Sequence, residues 1–226
     1  KNISINLKIV YLFRKYMDTI IYKKMNNNKH YINSIKYLVN KIVSIEGDIL
    51  ELGTYKGNNA IIFADILKKE KINKKYIGID TFNGYVDSQI EDSKEKVSQE
   101  NRDALKKIQK TKRWLTTLED VNKKIEKLKL SKWVELHKGD IVKTLPKIEK
   151  KISLLYVDCN VYSPSFFGME WVYDCMEEGG IICIDEHRKG GETQALKDFA
   201  TKYGQNIINT NNVYPNGPPK YIILKK

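Results

Sequence analysis

Cysteine is scarce in this 226-residue chain: Cys159, Cys175 and Cys183 form no CxxC pair and no even set, which excludes a disulfide framework. They read as reduced thiols in or beside core elements, and a cytoplasmic setting is expected. Long apolar runs are missing too. Near the start, Ile9, Val10, Leu12, Phe13, Tyr16, Met17, Ile20 and Ile21 are interrupted by Arg14, Lys15 and Asp18, so the segment predicts an amphipathic helix and no membrane partner. Its apolar stripe needs cover from the domain's own flank or from a second subunit, which makes a homo-oligomer through this helix one outcome. The sequence opens on Lys1 without Met, so upstream residues are expected. No internal repeat is present. The dinucleotide fingerprint G-x-G-x-x-G is also absent, because Tyr55 stands where its second glycine would be. Nor is any basic run interleaved with aromatics, so the net charge of +12 and pI of 9.3 do not point to nucleic acid. The lysines are scattered through helices, and an anionic small substrate such as a nucleotide-linked sugar would suit their field.

What is present begins with Ile49-Leu50-Glu51-Leu52-Gly53-Thr54-Tyr55-Lys56-Gly57-Asn58-Asn59-Ala60, which reads as a buried strand, a glycine turn and a helix start. Gly53 can take backbone angles closed to other residues, Gly57 leaves room for a ligand or strand, and Asn58 or Asn59 can cap the new helix. About one βαβ unit further on, Tyr76-Ile77-Gly78-Ile79 ends in Asp80, an acid placed to accept both hydroxyl protons of a ribose.

Around these, short apolar stretches at 48–52, 76–79, 133–137, 152–157 and 181–184 alternate with helical patterns at 59–69, 164–178 and 192–203, the rhythm of an α/β fold with a parallel sheet. The tail predicts two antiparallel strands, 206–208 and 221–224, around a Pro215-Asn216-Gly217-Pro218-Pro219 turn. The expected architecture is a doubly wound, mostly parallel, seven-stranded Rossmann-like sheet over residues 47–226. An N-terminal helical cap covers 1–46, its second helix carrying Ile32, Ile35, Leu38, Val39, Ile42 and Val43. The Lys- and Glu-rich stretch at about 90–130 is expected to be mostly helical, either a solvated face or a lid beside the ribose site.

Two further strand tips carry acids, Asp158 after 152–157 and Asp185-Glu186 after 181–184. Three carboxylates within about 4 Å of one another would repel by roughly 4 kcal/mol per pair at an effective dielectric near 20, so a cation between them is one reading. Oxygen-only ligands favour Mg²⁺, with Ca²⁺ or Mn²⁺ as alternatives. The other reading leaves Asp158 capping a turn and the acid pair facing water.

Gly47 to Gly57, Gly78-Ile79-Asp80-Thr81-Phe82-Asn83-Gly84, Tyr156 to Ser163 and Gly179 to Glu186 resemble successive motifs of the macrocin O-methyltransferase family, a class I S-adenosylmethionine (SAM) methyltransferase group. The resemblance spans about 47–200. It implies methylation of a hydroxyl on a sugar or glycosylated small molecule, with SAM and Mg²⁺ as cofactors. Carried over by position, Asp158 would be metal ligand and general base, completed at the metal by Asp185 and Glu186. Glu51, Gly53, Thr54, Tyr55, Gly57, Asp80 and Thr81 would hold the methionine and ribose parts, with Gly139 and Asp140 near adenine and Asp158 also against the cofactor. His187 would touch substrate or act as an alternative base. The chain departs from the family at Glu186, where an Asp is usual, and at Asn160, where many relatives carry an acid.

Two other functions fit the fold. A nucleic-acid methyltransferase is disfavoured because Asp158-Cys159-Asn160-Val161 replaces the Asn/Asp-Pro-Pro-aromatic motif of base-methylating enzymes. A non-catalytic SAM- or dinucleotide-binding domain would bind without turnover. His137, His30, Phe82, Tyr162 and Trp171 read first as structural.

Overall fold

Short, mostly apolar runs bounded by glycine and polar punctuation produce seven strands: β1 (Asp48–Leu52), β2 (Tyr76–Asp80), β3 (Val134–Lys138), β4 (Ile152–Val157), β5 (Met176–Ile184), β6 (Ile208–Asn209) and β7 (Tyr221–Leu224). The computed structural model describes residues 29–111, 115–185, 190–209 and 221–225. The helix expected over 9–21, the site residues Glu186 and His187 and the turn at 215–219 lie outside the described residues. The strand order is β3-β2-β1-β4-β5-β7-β6. The first five strands are parallel, and β7 and β6 close the edge in antiparallel fashion.

Helices cover both faces: α1 (Lys29–Ile42), α2 (Asn58–Lys69), α3 (Asp87–Asp92), α4 (Gln99–Lys110), α5 (Leu118–Lys127), α6 (Ile141–Thr144), α7 (Tyr162–Cys175) and α8 (Gly191–Tyr203). Because successive strand residues point to opposite faces, the sheet builds two cores. Ile49, Tyr76, Leu154, Tyr156 and Cys183 pack under α1 and α2, while Leu50, Leu52, Ile77, Leu155, Val157 and Ile184 pack under α7 and α8. No described helix is long and apolar enough to cross a membrane.

Three details differ from the expected pattern. Helix α1 buries Ile35, Leu38, Val39 and Ile42 completely but stops there, which leaves Val43 51% exposed. Helix α7 ends at Cys175 instead of 178, and β5 starts at Met176, with a register break between its pairings to Ile152 and Leu154. The inserted segment divides its roles. Val121 and Ile125 of α5 join the main core, whereas Ile90 of α3 and Leu105 of α4 form a small cluster with Val161 at the carboxyl rim of the sheet.

Candidate active site

Parallel register decides which residues meet. Leu52 pairs with Ile79 on one side and Val157 on the other, and Val157 pairs with Ile184, so these four positions stand level across the sheet. The next residues, Asp80, Gly53, Asp158 and Asp185, therefore stand in one row along the carboxyl rim, where ligands of such sheets bind. All four line a cavity of about 300 Å³, together with Tyr55, Thr81, Gly84, Tyr85, Val86, Gln89, Cys159 and Asn160.

Gly53 is required by this approach of β1 to β4. Its φ is +99°, and a Cβ there would lie 2.0 Å from the Asp158 carbonyl oxygen. Asp80 organises the neighbouring turns: its Oδ2 accepts the Tyr55 N–H at 2.7 Å and its Oδ1 the Phe82 N–H at 2.6 Å. These bonds hold two non-glycine residues at positive φ, Tyr55 at 47° and Phe82 at 51°. Burial pushes the Asp80 carboxyl up, against the pull of those donors. Thr81 accepts the Asn83 N–H at 3.1 Å and donates to the Gly84 carbonyl, shaping the turn that leads to Tyr85.

Asp158 is held by its backbone, whose N–H donates to the Leu52 carbonyl at 2.8 Å. Its carboxyl is pushed far up, first by desolvation and then by Asp185, Glu192, Glu51 and Asp80 around it, with no opposing hydrogen bond among the described residues. Asp185 differs, since its Oδ1 accepts a hydrogen bond from the Tyr156 hydroxyl at 2.6 Å. Asn160, at φ 63°, donates its N–H to Glu192 Oε1 and turns the chain along the cavity wall. Two neighbouring carboxylates with oxygen-only donors suit a hard divalent cation. Among the described residues no group of three or more His, Cys, Asp or Glu side chains stands in a metal-ligating arrangement, and Glu186 lies outside them.

The other expected site residues sit off this wall. Glu51 is fully buried, and both its oxygens are taken, Oε1 by the Asn59 amide and Oε2 by the Tyr76 hydroxyl. Burial pushes its carboxyl up to about 8. Asn59 is therefore spent on Glu51, and Gly57 itself is the helix N-cap, without a side-chain cap. The space over Gly57 serves packing, since a Cβ would come 2.5 Å from Cγ1 of Val121. The Thr54 hydroxyl is buried beneath Gly78. Gly139 and Asp140 border an adjoining depression with Thr81 and Phe82, and the Asp140 carboxylate accepts from the Val142 N–H at 3.0 Å and from Gln89 Nε2 at 2.7 Å. It thus reaches the cavity through Gln89.

Of the remaining aromatics, Phe82 is in the core, Tyr162 donates to Asp198 at 2.8 Å and stacks on Phe166, and Trp171 packs against the second core. His137 pairs with Glu135 at 2.8 Å, and His30 has no described side chain. The cavity residues that the sequence did not announce are Tyr85, Val86 and Gln89. Their only signal is position, directly after the Asp-x-Phe-x-Gly turn.

The family model described as macrocin O-methyltransferase (TylF) matches residues 18–211. No curated protein sequence matches the chain. Among solved structures, the O-methyltransferase NovP superposes with a TM-score of 0.71 at 17% identity, covering 86% of this chain and 79% of its own. The calicheamicin methyltransferase CalS11 gives 0.60 at 19% identity, with coverage of 85% and 77%. TomG from Streptomyces achromogenes, an O-methyltransferase of tomaymycin synthesis solved with SAM, gives 0.53 at 14% identity, with coverage of 86% and 80%. With the family model covering most of the chain, the chain belongs to the macrocin O-methyltransferase family of SAM-dependent O-methyltransferases.

Proposed function

We propose that the protein methylates a hydroxyl of a sugar or glycosylated metabolite, with Mg²⁺ held by Asp158, Asp185 and Glu186. The observation that carries this reading is the presence of Asp158 and Asp185 side by side on the wall that Gly53 and Asp80 also line. The acceptor class is supported by the family's macrocin methyltransferase description and by CalS11, a TDP-rhamnose 3'-O-methyltransferase. The described lining contains three carboxylates and no lysine or arginine, so the neutral, hydroxyl-bearing part of the acceptor belongs at this end.

SAM would supply an electrophilic methyl on its sulfonium, and Mg²⁺ would lower the pKa of a bound hydroxyl. The chain's own task is alignment and proton handling. Gly53 lets the turn close against the Asp158 backbone on the wall where the methionine part would lie, and Asp80 keeps lone pairs for the ribose hydroxyls after receiving its two backbone donors. In-line displacement needs the acceptor oxygen held close behind the methyl, which places it beside Asp158. Desolvation makes this carboxylate a stronger proton acceptor than an exposed aspartate. Asp185, oriented by Tyr156, faces the same space. Asn160 offers an amide where many relatives place an acid, adding a hydrogen-bonding group without a further charge.

Calorimetry with SAM tests the cofactor site, and a panel that includes TDP-rhamnose and other sugar nucleotides, read by mass spectrometry with and without Mg²⁺, tests the acceptor. Methylated sugar that depends on Mg²⁺ supports the proposal. Methylation confined to nucleic acid, or SAM binding with no methylated product on any sugar, would overturn it.

A further inference from the structure

One wall of the cavity is held from behind by a carboxylate that the chemistry proposed above does not use. Glu192 is the second residue of α8, is only 1% exposed, and stands outside the cavity lining. Withdrawing a carboxylate from water is costly unless donors inside the protein replace the solvent. One such donor is the backbone N–H of Asn160, which is given to Glu192 Oε1. The backbones of the same two segments also meet. At Gly191 a Cβ would lie 2.5 Å from the Tyr162 nitrogen, 2.7 Å from the Asn160 carbonyl oxygen and 2.9 Å from the Val161 carbonyl carbon. The start of α8 is therefore pressed against the chain at 160–162, and Glu192 enters that contact with its charge.

The need for this tie follows from where Asn160 sits. The Asp158 N–H is still bonded to the Leu52 carbonyl of the sheet, and α7 begins only at Tyr162. Asn160 lies between these anchors at φ 63°, a left-handed conformation that is disfavoured for any residue with a side chain. Its side chain nevertheless has a place to keep, because Asn160 lines the cavity next to Asp158 and Cys159. Relaxation to negative φ would turn its Cβ, and the amide with it, off that wall. A hydrogen bond from a backbone N–H to a carboxylate is roughly twice as strong as one to a neutral acceptor, which suits Glu192 to holding the conformation in place.

We propose that Glu192 is a positioning residue for acceptor recognition: its buried carboxylate holds the Asn160 backbone in the left-handed conformation that presents the Asn160 amide to the acceptor. The inference rests on the reading of this cavity as the acceptor site. An amide that binds the acceptor equally before and during methyl transfer acts on KM and leaves kcat unchanged, so a residue working through it carries the same signature.

Glu192→Leu removes the acceptor oxygen, whereas Glu192→Gln keeps one and drops the charge. With whichever sugar nucleotide of the panel the wild type methylates, Glu192→Leu is expected to raise the acceptor KM roughly tenfold with kcat within about threefold, and Glu192→Gln to restore most of the loss. In an Asn160→Ala background, Glu192→Leu should add less than about twofold, since the group it positions is gone. Affinity for S-adenosylhomocysteine should stay within about threefold throughout, which separates positioning from general loss of fold. Wild-type KM in Glu192→Leu, a loss that persists in full beside Asn160→Ala, or an equal loss of S-adenosylhomocysteine affinity would overturn the inference. If the wild type methylates no sugar of the panel, the acceptor reading falls by itself. Crystals of Glu192→Leu with S-adenosylhomocysteine then decide the positioning: Asn160 at negative φ supports it, and Asn160 still near 60° refutes it. Should Glu192→Leu not fold, hydrogen exchange in the wild type decides: the Asn160 amide, outside every helix and strand, is expected to exchange at least about 100-fold slower than a free amide, and exchange at the free rate refutes the tie.

Discussion

Asp158 and Glu51 are both carboxyl groups withdrawn from water, and their partners set their uses apart. Glu51 is saturated by an amide and a phenol, which suits a structural hub; Asp158 faces the cavity with no donor among the described residues. Asp158→Asn is expected to leave SAM affinity within about threefold of wild type while turnover falls on the order of 10²- to 10⁴-fold, measured by calorimetry and by single-turnover methyl transfer. For Glu51, the folded group titrates near 8 against 4.5 for a free glutamate. Above pH 4.5 the native protein binds the proton more tightly than the unfolded chain does, so the contribution of this group to stability falls as pH rises through about 8. The slope approaches about 1.4 kcal/mol per pH unit between those values. Glu51→Gln cannot ionise, and its melting temperature should decline less between pH 5 and 8 than that of wild type.

Among the elements, α4 shapes the cavity without lining it. Gln109 accepts the Tyr85 N–H at 2.8 Å and donates to the Tyr85 carbonyl at 2.9 Å, copying one rung of a β-ladder with a side chain. Gln109→Ala should expose both groups, cost about 1–2 kcal/mol of local stability, and appear as faster hydrogen exchange at the Tyr85 amide. The alternation of strands and helices, the seven-stranded sheet and the acids at the strand tips were all legible in sequence, because each rests on local periodicity and register. The start of β5 was not. Glu177, Glu178, Gly179 and Gly180 read locally as the end of a helix and a turn, yet Gly179 and Gly180 bond to Lys225 far along the chain. The role of Gly57 was hidden for the same reason, since its space is filled by Val121 from an insertion whose docking no local motif reveals. Tyr85 and Gln89 carry no pattern of their own and reach the cavity only because the segment folds back over the rim.

At the scale of the whole molecule, the net charge of +12 contrasts with the described cavity wall, whose charged groups are all acids. Cofactor binding should tie the rim together from β2 to β5. S-adenosylhomocysteine at about 100 times its Kd is expected to add about 2.7 kcal/mol, a rise in melting temperature of roughly 5–10 °C, whereas NADH should give none. The level register of the four rim positions also acts as a gauge. Asp158 and Asp185 stand on adjacent strands, about 4.8 Å apart along the sheet, while Asp80 is two spacings from Asp158, roughly 10 Å. These intervals are cut by backbone hydrogen bonds, whereas Gly84, Tyr85, Val86 and Gln89 line the cavity from a segment outside the sheet. Exchanging residues 84–117 with those of a relative should therefore redirect which hydroxyl is methylated while S-adenosylhomocysteine affinity holds within about threefold, as rigid-scaffold, variable-loop logic requires. A lineage could change its acceptor many times and never recalibrate its ruler.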